Sequence, residues 1–121
     1  MNILEGEVIY MAYVIAISLS ARQLRLYQDR ALVRSYPVGV GKTTTPTPIG
    51  IFSIMTKSPH PGGPFGAMWL GLSIPRYGIH GTSNPSSIGG FVSKGCIRMH
   101  NRDVLEVARL CPIGTLVHIN H

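Results

Sequence analysis

YVIAISLSARQLRLY, residues 13–27, is the stretch on which the fold turns. Val14, Ile15 and Ile17 belong to an apolar run, a polar break follows at Ser20-Ala21-Arg22-Gln23, and Leu24 and Leu26 then alternate with polar neighbours. Side chains of a strand change face at every residue, so a period of two marks β-structure, whereas a helix repeats every 3.6 residues. The pattern predicts a β-hairpin with its turn near Ala21.

Outward from this hairpin, Gln28-Asp29-Arg30 reads as the next turn and LVRSYPVGV (32–40) as a third strand. GKTTTPTP (41–48) is a loop by its Thr, Pro and Gly content, and GIFSIM (50–55) returns to strand. KSPHPGGPFG (57–66), with three prolines and three glycines, is expected to hold no regular structure. Such loops inside a compact domain are usually functional. Met68 to Ile74 and Tyr77 to Ile79 read as short strands, the second delivering His80 at its end. Thr82 to Gly90 is a polar loop, and Phe91-Val92 begins another brief strand.

One helix follows. Asn101 is the expected N-cap and Asp103 suits the first turn; Val104, Leu105, Ala108 and Leu110 fall at helical spacing. Arg102 and Glu106, four apart, form the expected exposed pair. Pro112 and Gly114 end the helix and TLVHI (115–119) is a closing strand. The fold class is therefore mainly β, a mixed β-sandwich or partly open barrel with one short helix after Cys96.

Composition agrees. The 121 residues suffice for one domain, and 45% hydrophobic against 13% charged residues describes a folded globule. Fourteen glycines and nine prolines suit short strands and tight turns better than helices. The most apolar segment, VIYMAYVIAISL at 8–19, is shorter than the roughly 20 residues of a membrane span. MNILEGE ahead of it carries two glutamates and no basic residue, the opposite of a signal-peptide start. Neither a span nor a signal peptide is expected. Residues 1–12 read as a lead-in to a domain at 13–121. The lead-in is either genuine or a mis-called extension with translation beginning at Met11, alternatives that N-terminal sequencing of the native protein separates.

The net charge of +6 favours a polyanionic partner such as nucleic acid, anionic lipid or the acidic polymers of a bacterial wall. The basic residues are scattered without an aromatic-interleaved cluster, so no nucleic acid is expected. Cys96 and Cys111 make no C-x-x-C and no disulfide framework, although a single bridge between them stays open.

Chemistry concentrates at His80-Gly81-Thr82 and at SKGCIRMHN, 93–101. His80, at a strand end, can be aimed rigidly. Cys96 follows Gly95, where the backbone can adopt geometries closed to other residues. A free cysteine has a pKa near 8.5, and a neighbouring imidazolium and helix N-terminus are expected to lower it. The amides of Gly95 and Cys96 would hold an oxyanion, Ser93 would orient the pair, and Arg98 suits a substrate carboxylate. The remaining readings are plainer: Cys111 as core filler, and His60, His100, His118 and His121 as loop, surface or strand residues. Cys96, His80 and His100 as zinc ligands lack the short paired spacings of a structural site, so no metal is expected.

His-Gly at 80–81, then Ser-x-Gly-Cys at 93–96 with Cys96 sixteen residues after His80, resembles the active-site signature of the L,D-transpeptidase catalytic domain, or YkuD domain. YPVGVGK (36–42), TPTPIGIF (45–52) and PGGPFGAMWL (61–70) are similar to that domain too, so the resemblance runs from about Tyr13 to Ile119. It implies Cys96 as nucleophile, His80 as base, Ser93 as third motif residue and Gly95 in the oxyanion turn. Arg98, Gly81, Thr82, Tyr77 and Trp69 are the implied substrate contacts, although ordinary packing is the plainer reading of Trp69. The loop at 57–66 with Phe65 becomes a candidate flap. Lys94 stands where many members have His, and Arg98 where many have Asn, as in the short Bacillus-type branch. The implied fold is a mixed β-sandwich and the implied partners are peptidoglycan stem peptides, with no cofactor and a monomeric chain. Localisation would be the cell envelope or spore, by an export route that the sequence leaves open. An L,D-carboxypeptidase using water, and a non-catalytic wall-binding module, are the alternatives.

Overall fold

The computed structural model of the protein describes residues 2–4, 7–9 and 12–121. The question of a start at Met1 or Met11 lies outside the described residues. The strands are β1 (Asn2–Leu4), β2 (Glu7–Ile9), β3 (Tyr13–Ser18), β4 (Gln23–Gln28), β5 (Ala31–Gly41), β6 (Gly50–Pro59), β7 (Met68–Leu72), β8 (Gly78–His80), β9 (Phe91–Ser93), β10 (Ile97–Met99) and β11 (Leu116–Asn120); helix α1 is Asn101–Leu110.

The hairpin is present as β3 and β4, with Ile15 opposite Leu26 and Ile17 opposite Leu24. All four side chains are buried, while their neighbours along each strand are only partly so. A strand with one wet and one dry face needs this alternation, because slipping by one residue would turn its whole apolar set to water. β4 turns into β5 through Asp29 and Arg30, both at positive φ, the geometry that matches the twist of a two-residue hairpin. From there the sheet runs β10-β8-β7-β6-β11-β3-β4-β5 and closes on itself where β10 pairs with β5. The result is an eight-stranded barrel with β9 outside it, beside the end of β5, and β1 and β2 form a ribbon of their own. Parallel pairs (β3 with β11, β8 with β10, β5 with β9) interrupt an otherwise antiparallel order.

The interior is apolar side chains: Ile15, Leu24, Val38, Ile54, Leu70, Ile79, Ile97, Met99 and Val117 are wholly or almost wholly buried. Helix α1 packs on β7 and β8 through Val104, Val107 and Ala108, with Cys111 just beyond it fully buried. Leu105, expected on the apolar face, is 41% exposed. The buried set is 104, 107, 108 and 111, the i, i+3, i+4, i+7 stripe of a helix lying on a sheet.

Four further expectations are corrected. Residues 57–59 are not loop: they lengthen β6, Lys57 pairing with Leu70 and Ser58 with Trp69. The Lys57 ammonium donates to the Ala108 carbonyl at 2.7 Å, satisfying one of the orphan acceptors at the end of α1. Glu106 pairs with Arg34 at 3.5 Å and accepts a hydrogen bond from the Tyr36 hydroxyl at 2.5 Å, while Arg102 turns to Asp103. Asn101 is the first helical residue and His100 the cap, its carbonyl accepting from the amides of Asp103 and Val104. Finally, Cys96 is not followed directly by the helix: β10 stands between them.

Strand β10 is expected to carry the stability of the closure. Ile97→Ala should cost about 2–5 kcal/mol and Leu105→Ala less than about 0.5 kcal/mol in urea unfolding followed by circular dichroism. Equal losses for the two would contradict the faces assigned here.

Candidate active site

In a strand, residues two apart share a face. Ile97 and Met99 point into the barrel and are buried, so Arg98 faces outward, and Cys96, two positions earlier, shares its parity. β8 runs parallel to β10 with His80 level with Arg98, and β7 runs antiparallel to β8 with Trp69 level with His80. One transverse row on the outer surface therefore carries Trp69, His80 and Arg98, and it continues to Gly39 of β5. The parallel pairing is what brings residues 80 and 96–98 together without a hairpin.

A cleft of about 320 Å³ is lined by Pro64, Phe65, His80, Ser93, Lys94, Cys96 and Arg98. His80 is buried. Its ring stacks on Trp69 (centroids 5.6 Å apart, planes at 16°) and meets the edge of Phe65 (5.1 Å, 83°). Phe65 in turn packs edge-on to Trp69 at 5.3 Å. Nδ1 of His80 is hydrogen-bonded to the Gly81 carbonyl. A carbonyl can only accept, so Nδ1 carries the proton and Nε2 keeps its lone pair.

The turn before Cys96 is built by Ser93. Its buried hydroxyl donates to the Cys96 carbonyl at 2.6 Å and accepts from the Gly95 amide at 3.0 Å. Gly95 sits at φ 125°, a region that L side chains rarely adopt, and a Cβ there would run into the Tyr77 ring. Because the Gly95 N–H is held by Ser93, it is not free for an oxyanion, which corrects the expectation that both turn amides serve. The Cys96 N–H takes no partner among the described residues. The Cys96 thiol, half-buried, donates weakly to the Arg76 carbonyl at 3.7 Å.

Electrostatics also differ from expectation. Burial lowers the pKa of His80, with the Gly81 bond opposing and Arg98 adding to the depression. Burial raises that of Cys96 above the usual thiol value, offset in part by a backbone hydrogen bond with Gly78 and by the Arg98 charge. Both shifts favour the neutral forms, which works against depression of the thiol by an imidazolium, and β10 lies between Cys96 and the start of α1 at Asn101. Cys111 is a second free thiol, buried and pushed up to about 12.

The other anticipated residues are placed as follows. Gly81 supplies the carbonyl on His80. Thr82 is buried and occupied locally, its hydroxyl accepting from the Asn84 amide and both its backbone groups bonded to the Asn101 side chain. Tyr77 covers Gly95. Trp69 lies behind His80 and lines a neighbouring hollow with Ser58, Pro61 and Phe65, not the Cys96 cleft. Asn101 was hidden by a residue type that is equally good at capping helices. Phe65 was legible only as part of a flexible-looking stretch, because nothing local in a Pro/Gly-rich segment says what its one aromatic ring will touch. Among the described residues no group of three or more His, Cys, Asp or Glu side chains could hold a metal ion, and no helix is long and apolar enough to cross a membrane.

The model of the L,D-transpeptidase catalytic domain, YkuD, matches residues 12–119. The candidate L,D-transpeptidase YkuD of Bacillus licheniformis is 63% identical over 107 residues, which cover 88% of this chain and 65% of that protein. Among solved structures, an L,D-transpeptidase from Mycobacterium smegmatis has a TM-score of 0.82 at 19% identity, over 92% of this chain and 59% of that one. A second, an L,D-transpeptidase in complex with imipenem, has 0.78 at 21%, over 91% and 59%. At these identities the two structures speak for the fold, whereas the domain match and the Bacillus relative speak for descent: the chain belongs to the L,D-transpeptidase catalytic domain, or YkuD, family.

Proposed function

We propose that this chain is a peptidoglycan L,D-transpeptidase in which Cys96 is the nucleophile and His80 its general base. The observation that carries the reading is an imidazole whose Nδ1 is committed to Gly81, leaving Nε2 as its basic nitrogen, and whose residue lines the same cleft as Cys96. A base must be uncharged to accept a proton, and the depressed pKa of His80 keeps it so at neutral pH.

The resting pair is thiol and neutral imidazole, not a preformed ion pair. As Sγ attacks the carbonyl at the L-centre of diaminopimelate in a tetrapeptide stem, its proton passes to Nε2, and the Cys96 N–H donates a hydrogen bond to the developing oxyanion. The tetrahedral intermediate collapses with cleavage of the C–N bond, and the departing D-alanine amine takes the proton from His80, leaving a thioester on Cys96. A side-chain amine of a second stem then attacks the thioester, gives its proton to His80, and restores the thiol as the 3→3 cross-link forms. Arg98 and exposed Lys94 place two positive charges at the cleft, suited to the carboxylates of the stem. Every group in this scheme belongs to one chain, so a monomer suffices, and a wall substrate implies work at the envelope or spore. The chain covers 65% of the length of the Bacillus licheniformis relative, and the activity proposed is that of this domain.

Incubation with disaccharide-tetrapeptide and mass analysis tests the function: cross-linked dimer and free D-alanine are expected, and hydrolysed tripeptide without dimer would transfer the acceptor role to water. Cys96→Ala and His80→Ala should each lower turnover by about a thousandfold or more with folding retained; full cross-linking by Cys96→Ala would leave a non-catalytic wall-binding module. Because the thiol pKa is raised, iodoacetamide alkylation of Cys96 in the free enzyme should still be climbing with pH at 9, whereas a plateau near neutrality would indicate an ion pair. Imipenem should add covalently to Cys96 and to no other residue in intact-mass and peptide analysis, and an unmodified chain would count against the nucleophile.

A further inference from the structure

Asn101 opens α1, but its side chain faces away from the capping role. Oδ1 accepts from the Thr82 amide at 3.1 Å and from the Ala67 amide at 3.0 Å, and Nδ2 donates to the Thr82 carbonyl at 3.1 Å. Two donors meet one end of the carboxamide and a carbonyl meets the other, so only this orientation of the group satisfies all three. The cap it might have provided is supplied by the His100 carbonyl.

The Thr82 N–H and the Gly81 C=O are opposite ends of one planar peptide group. The first is held by Asn101 and the second accepts the Nδ1 proton of His80. Fixing the plane at its N–H end fixes the direction of its carbonyl, and hydrogen bonds in series polarise one another. We infer that Asn101 is a positioning residue for His80, acting through the Gly81–Thr82 peptide group to hold the imidazole in the Nδ1–H tautomer. The inference rests on His80 serving as the base.

Two further observations converge on the same carboxamide. A Cβ on Gly81 or on Gly66 would collide with Oδ1 of Asn101, so both positions need glycine for the contact to exist. Ala67 follows that Gly66, and Phe65, one residue earlier, packs its ring against His80. Asn101 thus secures both the hydrogen-bonding partner of the imidazole and the segment that carries its edge-on neighbour. It refers both to α1, which is anchored in the core by Val104, Val107 and Ala108. The ionisable groups around this imidazole in the cleft are Cys96, Lys94 and Arg98, none of which touches Nδ1, so the tautomer is left to the peptide relay.

The test is ¹⁵N NMR of the His80 ring in the full chain, together with steady-state release of D-alanine from disaccharide-tetrapeptide. The unaltered protein should show a protonated Nδ1 and a bare Nε2. Asn101→Ala should show a mixture of tautomers, with kcat lowered about 10- to 100-fold and KM changed less than about twofold. Asn101→Asp keeps an acceptor for the Thr82 N–H while losing the donor to its carbonyl. It should retain the Nδ1–H tautomer and exceed Asn101→Ala in kcat by about fivefold or more; Asn101→Leu, similar in volume and unable to hydrogen-bond, replaces the alanine variant with the same expected mixture of tautomers if that variant does not fold. An unchanged tautomer in folded Asn101→Ala, or a mixed tautomer in Asn101→Asp, would overturn the inference. Absence of D-alanine release from the unaltered protein would instead remove the proposed function, with the NMR comparison still deciding whether Asn101 sets the tautomer.

Discussion

Three residues, Ile97 to Met99, bond to two strands at once. β10 runs parallel to β8 on one side and antiparallel to β5 on the other, so the last open edges of the sheet are consumed by one another. Backbone donors and acceptors withdrawn from water need partners, and an exposed sheet edge is a template for association. Closure meets both demands with the shortest segment that can span the gap. It also determines the chemistry of the surface: because Ile97 and Met99 must point inward, Cys96 and Arg98 must point out, level with a histidine on the adjoining strand.

The site is therefore not a hole in the barrel but a feature of its outer wall, and its walls are improvised from what crosses that wall. Trp69 supplies one face of the imidazole, Phe65 its edge, and the peptide after His80 a hydrogen bond. Holding a ring on three sides removes rotational freedom before any substrate arrives, which is how a binding site avoids an entropic cost during reaction. Burial of the same ring disfavours its charge. The environment that orients the proposed base thus also favours its neutral form, and desolvation likewise raises the pKa of the Cys96 thiol.

Much of this was legible in the residues. The period-two runs at 13–27, 32–40 and 115–119 located β3, β4, β5 and β11, because each has one dry and one wet face. His80 at a strand end and Cys96 after a glycine were visible as an arrangement, since a glycine before a reactive residue reports local backbone need. Other features were not legible, for physical reasons. Ile97-Arg98-Met99 is too short for a period to declare itself, and its strand character comes from pairing with β8 and β5, both distant in sequence. Lys57 to Pro59 read as loop because they open a segment, 57–66, rich in proline and glycine, yet the pairing of β6 with β7 overrides local preference there. The parity of Leu105 was misjudged because three apolar residues within one helical turn leave the buried face ambiguous until the sheet beneath is known. A neighbouring imidazolium and a helix terminus lead one to expect a lowered thiol pKa, yet burial of Cys96 raises it, and β10 separates the residue from α1.

The stacking of Trp69 on His80 has a bearing beyond the site itself. The chain contains a single tryptophan, so all of its indole emission originates one ring-width from that imidazole. Fluorescence from this molecule is consequently a local signal, sensitive to whatever alters the electronic surroundings of one residue, and no averaging over distant fluorophores of the same kind dilutes it. Nature has, in effect, installed the reporter where the occupancy of the cleft would be felt.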